Sequence, residues 1–312
     1  MNFLVIKLGA LGDFVQAIGP FSAIRNHHNG ARIVLLTTKA YKELAETLGF
    51  FDEVWTGGRP IKTKISDWFD LRRRLVSGKF SRVYDLQTSQ RSSFYRHLFW
   101  PGPFPEWSGI AWNCSHPHKN PERDTLHTVE RQAEQLCAAG ITHVPSINLS
   151  ALNLKDYGDQ SGFGLAGNYA LLAPLGAASR PNKRWPPNRF ALLARFLLDE
   201  NITPVFLGTE SERTAIKNII TDCPGALNFA GKTSILDLVT LSFSAKVAIG
   251  NDTGPMHITA STGCSSVVLY SSDSDPALCG QRGGSVAILR REDLMDISVS
   301  EVTNVVESML SK

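Results

Sequence analysis

Short apolar runs alternate with helix-spaced segments along the whole chain, and this alternation restricts its architecture more than any other feature. In the first half, residues 3–8 form an apolar run, 13–25 carry Phe14, Ile18 and Phe21 on one helical face, and 32–37 are strand-like again. Residues 39–48 read as a helix ended by Gly49, 83–86 as a buried strand, and 125–139 as a long helix closed by Gly140. The pattern restarts with a strand at 169–173 and a helix at 187–198. Short strands follow at 204–207, 226–229, 247–249 and 266–270, with helices between them. Ser298 and Glu301 make a capping box for a last amphipathic helix through Met309. Such alternation predicts an α/β chain with parallel sheets covered on both faces, whose ligands bind beyond the carboxyl ends of the strands. No tandem repeat is visible, which excludes a solenoid.

At 312 residues the chain is long for one core, and two domains of about 150 residues each are expected. Residues 150–167 are rich in Gly, Asn, Asp and Ser, and the linker is placed within them at 156–167. That gives domains at 1–155 and 168–297 and a C-terminal helix at 298–312, with a ligand cleft between the paired domains. A formal charge of +3 is too slight to imply nucleic-acid binding. No apolar run approaches the ~18–20 residues of a membrane span. The first residues enter a strand without a signal-peptide layout, and five scattered cysteines fit reduced thiols, so a cytoplasmic address is expected.

Gly250-Asn251-Asp252-Thr253-Gly254-Pro255-Met256-His257 lies between an apolar strand and a small-residue helix, with Pro255 near the first helical position. The free amides and positive dipole end of such a helix suit a phosphate or pyrophosphate. An ordinary turn capped by Asp252 or Thr253 would carry the same residues. A second loop, 173–186, follows a strand with small residues and then Arg180, Lys183 and Arg184, three cations within five residues. They suit a diphosphate lying across the strand ends, or a solvated basic loop over a packed Trp185. Glu210 and Glu212 sit where a carboxylate accepts ribose hydroxyls, or simply faces solvent at a helix start.

In the first half, the turn Lys7-Leu8-Gly9-Ala10-Leu11-Gly12-Asp13 uses two glycines for a sharp bend and close approach. It sets Asp13 at the head of a helix, as a cap or as a group over the cleft. The G-x-x-G spacing, and Lys39 rather than an acid after the second strand, disfavour NAD. His257 reads as a structural histidine or a base. Lys62, Lys64, Arg72, Arg73 and Arg74 form a basic cluster, either a solvated helix face or a site for a phosphorylated or carboxylated sugar. Cys114-Ser115-His116-Pro117-His118 matches no usual zinc spacing and lacks a fourth ligand, so no metal site is expected.

Taken together, these residues resemble the ADP-heptose-dependent glycosyltransferases, the heptosyltransferases of lipopolysaccharide core assembly in glycosyltransferase family 9. The resemblance runs through Val5-Ile6-Lys7-Leu8-Gly9-Ala10-Leu11-Gly12-Asp13 with Pro20, then Tyr84-Asp85-Leu86-Gln87 with Arg91-Ser92, and 127–140. It continues through Lys183-Arg184-Trp185-Pro186, Phe229-Ala230-Gly231-Lys232-Thr233-Ser234 and 251–257. It implies a GT-B fold: two Rossmann-like β/α/β domains facing each other across a cleft, the first binding acceptor and the second nucleotide-sugar. The implied reaction is inverting transfer of a heptose from ADP-heptose to the Kdo or inner-core heptose of lipopolysaccharide, with Asp13 as general base and neither metal nor other cofactor.

The resemblance also implies that Lys183 and the amides of Thr253 and Gly254, at the helix start marked by Pro255, stabilise charge on the diphosphate. Ser179 and Arg180 match positions that contact the diphosphate, Asp252 one that binds the heptose hydroxyls, and Glu212 one that binds the ribose. Gly12, Met256 and His257 are accessory positions, and Lys62 and Lys64 are assigned to the acceptor. The implied setting is cytoplasmic, peripheral at the inner membrane, without nucleic acid. Residues 270–280 follow the family pattern only loosely, and the first half matches less closely than the second. An epimerase or hydrolase of the same fold using His257, a related transferase with another donor or a protein acceptor, and a nucleotide-binding module are the competing readings.

Overall fold

The computed structural model describes residues 1–61, 63–149, 160–165, 167–176 and 179–311. The chain divides into two compact units, Met1–Ile147 and Asn148–Lys312. The first is built on β1 (Asn2–Ile6), β2 (Arg32–Leu36), β3 (Glu53–Trp55), β4 (Arg82–Asp85), β5 (Glu106–Gly109) and β6 (His116–Pro117). Its helices are α1 (Leu11–Val15), α2 (Ile18–His27), α3 (Lys42–Thr47), α4 (Ile65–Ser77), α5 (Gln90–Phe94) and α6 (Thr128–Cys137). The second unit carries β7 (Tyr169–Ala173), β8 (Thr203–Phe206), β9 (Leu227–Asn228), β10 (Val247–Asn251), β11 (Ser266–Tyr270) and β12 (Val286–Arg290). Its helices are α7 (Pro187–Asp199), α8 (Arg213–Ile219), α9 (Ile235–Ser244), α10 (Gly254–Ser261), α11 (Pro276–Cys279) and α12 (Val299–Leu310).

Both sheets are six-stranded, ordered β3-β2-β1-β4-β5-β6 and β12-β11-β10-β7-β8-β9. Every pairing is parallel. The winding reverses between β1 and β4 in one unit and between β7 and β10 in the other, the doubly wound α/β arrangement expected from the alternating pattern. β1, β7, β10 and β11 are buried almost throughout, because helices cover both faces. In the second unit Phe190, Leu193 and Leu197 of α7 and Val302 and Val306 of α12 pack on the sheet side chains Leu172, Ile249, Val267 and Leu269. In the first, Leu71 and Leu75 of α4 join Tyr95, Phe99 and Trp107 against Leu4, Ile6, Val34 and Val83. Among the described residues no helix is long and apolar enough to cross a membrane.

Several boundaries differ from the sequence reading. The helix expected over 13–25 is two helices, α1 and α2, parted at Gln16 and Ala17. Pro20 accounts for the break, since it has no N–H for the Gln16 carbonyl and its ring would crowd that group. The helix expected at 39–48 opens with a 3-10 turn, and that expected at 125–139 starts only at Thr128, where His127 Nδ1 accepts the Val129 N–H. The Ser298–Glu301 capping box is present.

Gly250 is a point of close approach. A Cβ there would lie 2.7 Å from Ala173 Cβ, 2.8 Å from the Ala173 carbonyl and 2.8 Å from Met256 Sδ. Two backbones and a buried helix side chain would all have to shift. Gly250→Ala is therefore expected to destabilise the protein by about 1–3 kcal/mol, read as a lowered urea midpoint; an unchanged midpoint would show that β7, β10 and α10 are not tightly packed there.

Candidate functional site

Polar side chains gather in each unit beyond the carboxyl ends of the strands that flank its winding reversal. In the first unit the chain leaves β1 through Lys7 and turns at Gly9, whose φ of +99° suits glycine and where a Cβ would meet the Tyr41 ring at 2.5 Å. It enters α1 at Leu11. Asp13 is the third helical residue, half-buried, and its Oδ2 accepts the Ala10 N–H at 3.1 Å. Asp13 is thus not the residue that starts the helix; Ala10 is, and the carboxylate reaches back to its amide.

Lys7 is buried and donates from Nζ to the Leu86 carbonyl at 3.0 Å. Burial lowers its pKa to about 8; the charges of Asp13 and Asp85 oppose this shift and that of Arg131 adds to it. Asp85, the last residue of β4, is fully buried, and its Oδ1 accepts the N–H groups of Gln87 and Thr88. Burial raises its pKa to about 7, against the Ser92 hydroxyl, the two amides and Lys7. A cavity of about 180 Å³ is walled here by Lys7, Asp13, Arg123, Arg131, Gln132 and Gln135, among others. Gln135 Nε2 donates to the Asp85 and Ser108 carbonyls. Its Oε1, and both polar side-chain atoms of the 3% exposed Gln132, are buried without a partner among the described residues. Unsatisfied buried amides are uncommon and mark a wall suited to a polar ligand.

Lys7, Asp85, Arg131, Gln132 and Gln135 stand in segments that carry the family resemblance but were assigned no chemical role in the sequence reading. A signal was present on α6, where Thr128, Gln132, Gln135 and Leu136 make up the buried stripe, so that three of the four positions facing inward are polar. Lys62 lies outside the described residues. Lys64 is exposed, pairs with Asp67 at 2.9 Å and does not line this cavity.

In the second unit Asn251 ends β10 fully buried and ties two loops together. Its Oδ1 accepts the Trp185 N–H at 3.0 Å, and its Nδ2 donates to the Pro174 carbonyl at 2.6 Å. Trp185 is buried beneath the basic loop and donates from Nε1 to the Ile297 carbonyl. Next comes Asp252, which gathers four donors. Lys183 Nζ (2.7 Å) and Ser274 Oγ (2.8 Å) donate to Oδ2, and Tyr270 OH (3.0 Å) and Gln281 Nε2 (3.2 Å) to Oδ1. His257 Nε2 stands 4.0 Å from Oδ1. Burial alone would raise the Asp252 pKa, but the Lys183 hydrogen bond and charge, with Ser274 and His257, hold it below the usual carboxylate value. Burial and Asp252 push the Tyr270 phenol up.

Thr253 is the N-cap of α10, with Gly254 and Pro255 opening the helix and no side chain capping it. Met256 and His257 are buried in its first turn. Ser179 and Arg180 are exposed on the loop. Glu212 accepts the Thr209 N–H and hydroxyl through Oε2 and so caps its own 3-10 turn, while Glu210 pairs with Arg213. Gly12 lies in α1 beside Asp13. The Cys114, His116 and His118 side chains turn to separate partners: the Gly109 carbonyl, Glu106 and Glu134.

In the native state Asp85 keeps its proton up to about pH 7, whereas an unfolded aspartate loses it near 3.8. Folding therefore binds a proton between those values, and wild-type stability falls as pH rises through that window. Asp85→Asn keeps an acceptor for the two amides and has no such loss. Its stability relative to wild type is expected to climb between those two pH values and then level off in urea titrations. A difference flat with pH would mean that the native carboxyl is already ionised.

Comparison with known proteins agrees with this architecture. The family model described as Glycosyltransferase family 9 (heptosyltransferase) matches residues 68–294. Lipopolysaccharide heptosyltransferase 2 of Salmonella typhimurium is 29% identical over 158 residues, covering 44% of this chain and 45% of that protein. The chain therefore matches under half the length of that relative. The structure of E. coli ADP-heptose lipopolysaccharide heptosyltransferase II aligns with a TM-score of 0.82 at 19% identity over 100% of this chain and 99% of the other. A family 9 glycosyltransferase from Veillonella parvula gives 0.82 at 21% identity, over 99% and 97%. At these identities the two likenesses establish the fold.

Proposed function

The chain belongs to glycosyltransferase family 9, and on that premise we propose that it moves a heptose from ADP-heptose to an acceptor sugar of the lipopolysaccharide core, with inversion at the anomeric carbon. The observation that carries this reading is the cavity beside Asp13. Two carboxylates (Asp13 and Asp124), a buried ammonium, two guanidinium groups and the unpartnered Gln132 amide share one small space, which suits a polyhydroxylated acceptor bearing negative charge.

Asp13 is assigned as general base. As the acceptor oxygen bonds to the anomeric carbon, the bond from that carbon to the diphosphate oxygen breaks, its electron pair leaves with ADP, and the acceptor proton passes to Asp13. The second unit is assigned the donor. The uncapped start of α10 at Thr253, Gly254 and Pro255, with Lys183, Ser179 and Arg180, meets the charge growing on the diphosphate, and no metal enters the scheme. Asp252 is assigned to heptose hydroxyls and Glu212 to the ribose. Lys183 and Asp252 form one ion pair, so orienting the sugar and stabilising the leaving group draw on the same contact. The acceptor is lipid-borne in this reading, met at the cytoplasmic face of the inner membrane.

Asp13→Asn keeps an oxygen for the Ala10 amide while removing the base. It is expected to lower kcat by about 10²–10⁴-fold, with little change in the KM for ADP-heptose, in an assay of ADP release with a core acceptor. Undiminished transfer would remove Asp13 from the mechanism. Donor consumed equally fast without acceptor would instead favour an epimerase or hydrolase.

Gln132→Leu fills the same space without polar atoms. It is expected to raise the acceptor KM by about tenfold, in line with the ~1–3 kcal/mol of a buried polar contact, and to leave the donor KM unchanged. An unaltered acceptor KM would take Gln132 out of the acceptor pocket.

A further inference from the structure

The carboxylate assigned to the donor sugar is already occupied. Lys183 Nζ at 2.7 Å and Ser274 Oγ at 2.8 Å both donate to Asp252 Oδ2, and a carboxylate oxygen has two lone-pair directions to offer. Oδ1 is no freer, because Tyr270, Gln281 and His257, all buried, stand against it. The Asp252 side chain as a whole is only 9% exposed. A sugar hydroxyl therefore reaches this carboxylate by displacing a donor, not by adding one.

The two donors on Oδ2 differ in how readily they withdraw. Lys183 carries the charge that keeps Asp252 ionised, and its departure would leave a buried carboxylate unpaired. Ser274 is neutral and half-buried, and rotation about its Cα–Cβ bond removes the hydroxyl without moving the chain. Its backbone is held on both sides. The Ser272 N–H donates to the Glu292 carbonyl, while Asp275 caps α11 at the Ala277 N–H and pairs with Arg290 at 3.1 Å. Ser274 also lies within 270–280, where the chain follows the family pattern only loosely.

We infer that Ser274 is a specificity-determining residue of the donor site, an inference that rests on the assignment of Asp252 to the sugar. Its hydroxyl stands on Asp252 Oδ2 in the place of a sugar hydroxyl and gives that place up when the sugar supplies one. A donor with the hydroxyl exchanges one hydrogen bond for another. A donor without it leaves the Ser274 contact intact, so in neither case is the buried carboxylate short of a partner. The site thereby takes ADP-activated pyranoses more broadly than heptose alone.

The test is calorimetry on the full chain without acceptor, titrating ADP, ADP-heptose and ADP-heptose analogues that each lack one hydroxyl. Ser274→Ala leaves Oδ2 one donor short. It is expected to reject one analogue that wild type binds within about threefold of ADP-heptose, by about tenfold, the size of one hydrogen bond to a charged group. Ser274→Thr keeps the hydroxyl and is expected to rank the analogues as wild type does. A Ser274→Ala protein that adds no rejection, or a Ser274→Thr protein that adds the same one, overturns the inference. ADP separates this from the donor assignment: with ADP bound equally by wild type and variants, those results sink the role of Ser274 alone, whereas a wild type that binds no ADP removes the donor site and the inference with it.

Discussion

Each sheet starts from a central strand and is wound outward in both directions, so the connections that follow its two middle strands leave toward opposite sides. The reversals fall between β1 and β4 and between β7 and β10, and the space above those strand ends is where such folds leave a crevice. Side chains carried there are buried or half-buried, with backbone amides nearby. The polar groups described above lie at these two places: Lys7, Asp13 and Asp85 at the first, and Asn251, Asp252, Pro174 and Lys183 at the second. Topology fixes where chemistry is favoured, and the residues just after each strand decide which chemistry.

The two places handle buried charge differently. In the second unit the desolvation of Asp252 is offset by a short contact to Lys183 and by three neutral donors, so the carboxylate stays ionised. Asn251 completes the arrangement by holding the β7 and β10 loops together through both ends of its amide. In the first unit Lys7 and Asp85 are buried with less compensation. Burial lowers Lys7 to about 8 and raises Asp85 to about 7, with the charge of each opposing the shift of the other. Together with the unpartnered Gln132 amide, that makes the first cavity the less self-satisfied of the two.

The features legible in the sequence were local ones. Gly9, Gly12, Gly254 and Pro255 punctuate their turns whatever surrounds them, and apolar runs disclose central strands because those strands are buried on both faces. The short strands β3, β5 and β6 carry no comparable run and were not anticipated, whereas β12 carries one, Val286-Ala287-Ile288-Leu289, and was overlooked. Non-local partners were equally silent. Tyr270, Ser274 and Gln281 reach Asp252 from 18, 22 and 29 residues away, and nothing in their spacing points to a shared carboxylate. Lys7 looks like the ordinary polar end of a strand until β4 and α6 close over it. Arg72–Arg74 lie on α4, where Arg72 donates to the Trp100 carbonyl and Arg74 to the Thr56 carbonyl, contacts of which their spacing gave no hint.

The environments of three aspartates bear on which one could take a proton from a substrate. Asp252 is surrounded by four donors and kept well ionised, which makes it a good acceptor of hydroxyl hydrogen bonds and a poor base. Asp85 has the opposite defect: it is sealed from solvent, accepts two amides from its own turn and holds its proton until about pH 7. Asp13 is half-buried, gives one oxygen to a single backbone amide and borders the cavity directly. Its position at the third residue of α1 aims a carboxylate at the space while the helix holds the backbone behind it still, as a base acting on a positioned hydroxyl requires. Lys7, buried alongside, is coupled to the Asp13 carboxylate through its charge.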